Sequence, residues 1–214
     1  MSNLQEELSQ FIYKGKRVEE LTSKFEQLAP YFLYSGYIRV LGRFRVYIQR
    51  VEFYFHSETD GIQDEIVYHR NNYHIIGKLP YFTPITFHAH ASGYDIAFEN
   101  AAEQYRASAL IRAYEVYDEQ EHKYLKASNG KFDYTENPYT NIQSTYLYDI
   151  LNGFGDAGTI EWVHKPSVLF NNHQPLKQEW RKGVYVGDKW KGDEYKEPRE
   201  RNWSFSRKEF IEIL

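Results

Sequence analysis

The sequence has no cysteine, and among its 214 residues it has one Met and seven Pro. Without cysteine, a disulfide scaffold, a thiolate zinc site and a cysteine nucleophile are all excluded. No apolar run comes near the ~18 residues a membrane span needs, and the mean hydropathy is -0.70. No membrane partner is therefore expected. A basic excess is missing too: 26 Lys and Arg face 30 Asp and Glu, for a net charge of -4. Nucleic-acid-binding domains usually carry a basic footprint, and this composition does not advertise one. The opening residues, MSNLQEELSQF, lack the basic start and apolar stretch of a secretory signal, so a cytoplasmic location is expected. No internal repeat, Walker loop, G-x-G-x-x-G, H-E-x-x-H or G-x-S-x-G is present.

What is abundant is aromatic: 20 Tyr, 14 Phe and 4 Trp make up 18% of the chain. Most of these rings must pack a core or brace hairpins, so their number alone points to no ligand. A chain of this length buries roughly 70% of its unfolded surface, and one domain is the default.

Periodicity supplies the elements. A short helix is predicted around Leu4 to Tyr13. A second follows, with Leu21, Phe25 and Leu28 at helical spacing and an end or kink at Pro30. From Tyr37 the period becomes two, and YIRVLGRFRVYIQRVEFYF reads as a hairpin turning at Leu41-Gly42-Arg43. Its second arm is mixed. Phe44, Val46 and Ile48 share one parity, whereas Val51, Phe53 and Phe55 share the other. Either the strand passes between two environments or a bulge resets its register.

Residues 56–80 read as loop. A second hairpin spans TPITFHAH and YDIAFEN, and RASALIRAYEVY is a strand whose Leu110, Tyr114 and Val116 share a face with Arg112. NGKFDYTENPYTN reads as loop, and STYLYDIL as a helix capped by Ser144 and ended by Gly153. TIEWV reads as a strand and PLKQEWRK as a short helix opened by Pro175. The chain is expected to be one α+β domain with a curved, mostly antiparallel sheet flanked by helices. Helices would occupy 1–34, the sheet core 35–206 and a tail 207–214.

Two constellations carry possible chemistry. Glu52 and Arg112 each lie in a strand on a parity that includes apolar residues. Buried charges are costly, so such residues are usually paired or functional; a purely structural ion pair is the plain alternative. His88 and His90 stand two apart on one strand, where a carboxylate such as Asp95 or Glu99 would complete a metal site. Two histidines on a sheet surface are the simpler reading, and neither a metal nor a cofactor is expected.

Taken in order, the segments resemble the alkyladenine (3-methyladenine, methylpurine) DNA glycosylase family. LAPYFLYSGYIRV and GRFRVYIQRVEFYF are similar to its helix-to-hairpin passage. ASGYDIAFEN followed by SALIRAYEV is similar to its second hairpin and following strand. STYLYDIL, TIEWV and RKGV with PRERNWSF continue the correspondence, from about Ala29 to Phe205.

The resemblance implies the family's fold, a monomer, and hydrolysis of the N-glycosidic bond of a damaged purine flipped out of double-stranded DNA. It puts Glu52 on the water-activating glutamate, Arg112 on the water-positioning arginine and Tyr54 on a pocket tyrosine. His69 would match the pocket histidine. Ala89 falls where the family has a second stacking tyrosine. Ser92 falls on the duplex-wedging tyrosine, with Gly93 and Tyr94 beside it in the same hairpin. The pocket asparagine falls on Glu99 or, one residue on, Asn100. A non-enzymatic binding protein on the same scaffold, holding nucleic acid or another planar ligand, is the alternative expectation. A metal-dependent β-barrel enzyme using His88 and His90 is a third.

Overall fold

The computed structural model describes residues 3–64, 67, 80–90, 93–128, 131–136, 142–143, 160–171, 176–181 and 196–207. It begins with two helices, α1 (Leu4–Gln10) and α2 (Val18–Tyr34). A capping box holds the start of α1: Asn3 Oδ1 accepts from Glu6 N at 3.0 Å, and the Glu6 carboxylate accepts from Asn3 N at 3.0 Å. Leu21, Phe25, Leu28, Phe32 and Leu33 give α2 one apolar face, and all five are buried. Of the end or kink expected at Pro30, the end does not occur: α2 runs on to Tyr34, in line with helices over 1–34. Proline inside a helix costs about 3 kcal/mol. Burial of Phe32, Leu33 and Tyr34 beyond it offsets that at roughly 1.5–3 kcal/mol per large apolar side chain.

Among the described residues eleven strands follow: β1 (Gly36–Val40), β2 (Phe44–Ser57), β3 (Thr86–His90), β4 (Gly93–Ala97), β5 (Tyr105–Asp118), β6 (Lys123–Ser128), β7 (Lys131–Thr135), β8 (Ile142–Gln143), β9 (Ile160–His164), β10 (Lys177–Glu179) and β11 (Ser204–Ser206). They form one curled antiparallel sheet whose central path is β10-β11-β2-β5-β4-β3. Short helices α3 (Val168–Asn171) and α4 (Lys196–Arg199) lie between late strands. The α+β architecture and the antiparallel sheet agree with the sequence expectation. Among the described residues no helix is long and apolar enough to cross a membrane.

Both expected hairpins are present. Leu41 and Gly42, at φ of 55° and 63°, turn β1 into β2, and Arg43 N bonds Val40 O at 3.1 Å. This is a type I′ geometry, which favours glycine. Other assignments need correction. Lys177–Glu179 is a strand, not part of a helix, because it pairs with Ser204–Ser206. Lys131–Thr135 is a strand paired with β6, not loop. In both, strand pairing overrides weak local preference, with the hairpin neighbour β6 in one case and the more distant β11 in the other. The helix expected at Ser144 lies outside the described residues.

The decisive feature is a bulge in β2 and β5. Ile48 pairs with Tyr114, Arg50 with Ala113 and Val51 with Ile111, leaving Gln49 and Arg112 as extra residues. Each strand gains one residue, so the register recovers while the parity of both strands flips. Phe44, Val46 and Ile48 face the main core before the bulge; Val51, Phe53 and Phe55 face it afterwards. Phe53 stacks on Phe25 of α2, ring centroids 4.5 Å apart. The expected common face of Leu110 with Tyr114 and Val116 is therefore wrong. Leu110 belongs to a separate cluster with Tyr54 and Val67, on the side away from α2.

Candidate active site

The bulge carries Glu52 to this second face. Residues in direct register across the sheet share a face. One such row runs Glu179, Ser204, Glu52, Leu110, Asp95 and His88, one residue from each strand of the central path. The next row pairs Tyr54 with Ser108 and Ser108 with Ala97. Apolar alternation alone would put a leucine or valine at Glu52. The sheet instead buries a carboxylate there with no exposed surface.

Two neighbours define that carboxylate. The Tyr54 hydroxyl donates to Glu52 Oε2 at 3.2 Å, and Arg112 Nε lies 3.4 Å from the same oxygen. Glu52 Oε1 is buried and has no hydrogen-bond partner among the described residues. Burial pushes the Glu52 carboxyl up to about 7, against the pull of Arg112, Arg181, Tyr54 and Arg50. Burial, then the Glu52 charge, holds the Tyr54 phenol well above its ordinary range. The Arg112 side chain keeps 21% of its surface exposed, so the centre reaches solvent on its side.

Arg181 braces the centre from behind. Its guanidinium, fully buried, forms a forked pair with Asp64 at 2.7 and 3.2 Å. It lies 4.7 Å from the Tyr54 ring centroid and 5.0 Å from that of Trp203. Asp64 also accepts from Phe55 N at 3.3 Å, which ties the segment after β2 back onto the sheet. Neither Arg181 nor Asp64 stands out in the sequence: both fall in short polar stretches without periodicity. Asp95 does stand out, but only as a candidate metal ligand.

The expected site residues divide accordingly. Glu52, Arg112 and Tyr54 converge. One face of Tyr54 is covered by Arg181, and its hydroxyl serves Glu52. Glu99 is buried elsewhere, accepting from Arg106 Nη1 at 3.1 Å and Phe82 N at 2.9 Å. Asn100 shapes a turn, accepting from Glu103 N at 3.0 Å. Tyr94 is 7% exposed within the main core, so its ring is not displayed for wedging. Ala89 and Gly93 hold register positions opposite Tyr94 and His90. His69 and Ser92 lie outside the described residues.

The His88 ring packs on Phe82 at 4.9 Å. Among the described residues no three His, Asp or Glu side chains gather into a metal-binding group. A cavity of about 720 Å³ lies elsewhere, between α2 and the α4 region, lined by Thr22, Glu26 and Glu200 among others. No family model matches the chain, and no curated protein or solved structure is significantly similar to it.

Proposed function

We propose that the Glu52 centre hydrolyses the N-glycosidic bond of an alkylated or deaminated purine in double-stranded DNA. The observation that carries this reading is the divided state of the Glu52 carboxylate. One oxygen is held by Tyr54 and Arg112, and the other is buried with no partner among the described residues. A carboxyl poised at about 7 suits a general base near neutral pH.

The unpartnered Oε1 takes a proton from water, the water oxygen bonds to the anomeric carbon, and the bond to the base breaks. The transition state is cation-like, and an anionic carboxylate in a dry site stabilises it strongly. Arg112 orients both carboxylate and water. The resemblance of QRVEFYF and SALIRAYEV to the glycosylase motifs supplies the substrate class, and double-stranded DNA is the partner it implies.

A second reading, ligand binding without chemistry, draws on the burial of Tyr54 beneath Arg181 and against Val67. One experiment separates the two: base release from duplexes holding hypoxanthine, ethenoadenine or 3-methyladenine. Wild type should release at least one of these bases, and Glu52→Gln should be slower by about 1,000-fold, the middle of the range for losing a general base. DNA affinity that survives Glu52→Gln, with no base released by either protein, would establish the binding reading instead.

A further inference from the structure

We infer that Asp95 is a second catalytic carboxyl of this centre, the group that protonates the departing base, and that Ser108 positions it. The inference rests on the glycosidic reading of Glu52 and goes beyond it, since nothing in that reading gives the leaving group a proton.

The sheet supplies the geometry. Glu52 on β2 and Asp95 on β4 are both in direct register with Leu110 of β5, so all three share one face. Neighbouring strands lie about 4.8 Å apart, which sets the two acids about 9.5 Å apart at Cα. Side chains on one face of a sheet stand roughly parallel, so the carboxyl spacing follows that of the strands, near the wide end of the roughly 6.5–9.5 Å that suits hydrolysis in which one carboxyl activates water and the other protonates the leaving group. Between them lies Leu110, 3% exposed. An apolar side chain there keeps bulk water away from both carboxyls.

Each acid is held from the adjacent row in the same manner. Tyr54 donates to Glu52, and Ser108, its direct partner across the strands, donates from Oγ to Asp95 Oδ2 at 3.1 Å. Asp95 is 2% exposed. Two buried acids are thus set on one face, each bonded to a hydroxyl of a single cross-strand pair. Core packing alone does not call for this.

The chemistry balances. Water gives its proton to Glu52 and its oxygen to the anomeric carbon. The carbon–nitrogen bond breaks, and the base nitrogen takes the Asp95 proton. The proton on Glu52 then replaces the one Asp95 has given up, through water. A base that carries a positive charge on the sugar, such as 3-methyladenine, departs as a neutral molecule and needs no donor. A neutral base such as hypoxanthine needs one.

Single-turnover release from two duplexes, one with hypoxanthine and one with 3-methyladenine, tests the assignment. Asp95→Asn should slow hypoxanthine release about 100-fold, a normal general-acid contribution, and leave 3-methyladenine release within about 3-fold. Ser108→Ala should give a smaller loss, again confined to hypoxanthine, and it carries the test if melting curves show Asp95→Asn unfolded. Equal slowing of both bases, or of neither, overturns the role of Asp95 while leaving that of Glu52 standing. Release of neither base by wild type removes the Glu52 reading and this one together.

Discussion

Two buried carboxylates sit on the same pair of strands and behave in opposite ways. Asp118 ends β5, and Glu52 lies in the middle of β2; neither has exposed surface. Asp118 is fully served. Arg43 reaches both its oxygens, the Tyr134 hydroxyl donates at 3.0 Å, and the Gln120 amide donates at 2.9 Å. Burial pushes its carboxyl up, but these donors more than reverse the push and leave it below the usual range. Glu52 has one hydroxyl and one guanidinium on a single oxygen, and burial wins. Neither carboxylate touches solvent, but Glu52 lies deeper and has fewer donors than Asp118, and both differences push its charge the same way. Asp118 clasps the end of a hairpin, whereas Glu52 is held short of satisfaction, the state its proposed role as a base would need.

The largest effect should come from removing a donor where two charges are both buried. Arg181→Met leaves Asp64 uncompensated behind the centre, a loss of roughly 3–5 kcal/mol to be read from chemical denaturation. A loss under about 1 kcal/mol would mean that Asp64 finds other donors, and the bracing role of Arg181 would fall.

Next in size is a gain. The folded state holds the Glu52 proton more tightly than the unfolded chain does, so the contribution of Glu52 to stability is full below about 4.5 and declines as pH rises to about 7. Glu52→Gln removes that decline and should stabilise the protein by about 3 kcal/mol at pH 8, the equivalent of the shift, with little change at pH 4.5. Asp118 has the opposite sign: its stabilisation is present at neutral pH and is lost in acid as pH falls through its lowered pKa. Melting temperatures of Glu52→Gln and wild type across pH 4–8 should diverge upward; parallel curves would refute the raised pKa.

The smallest test removes one hydroxyl from each site. Tyr54→Phe and Tyr134→Phe should each cost about 1 kcal/mol and raise the pKa of Glu52 and Asp118 respectively. Carboxyl-carbon titration by NMR reads both. Activity should fall with Tyr54→Phe alone, since Asp118 lies at the far end of β5.

Much of this was legible in the chain. The period of α2, the turn at Leu41-Gly42 and the change of parity along FRVYIQRVEFYF all follow from local sterics and burial, which act over a few residues. Local rules left Pro30 as either an end or a kink, because they know nothing of the burial of Phe32 and Leu33. The strands at Lys131 and Lys177 were hidden because pairing, not propensity, makes them. Asp64 and Arg181, 117 residues apart, leave no local trace of their pairing.

By itself, then, the sequence determined that β2 carries a glutamate amid apolar alternation and that β5 carries an arginine in the same situation. Tertiary structure decided that they meet. Two matched bulges turned both strands over together, because a side-chain period of two leaves a single inserted residue no other outcome. The register of β4 then brought Asp95 into line beside them.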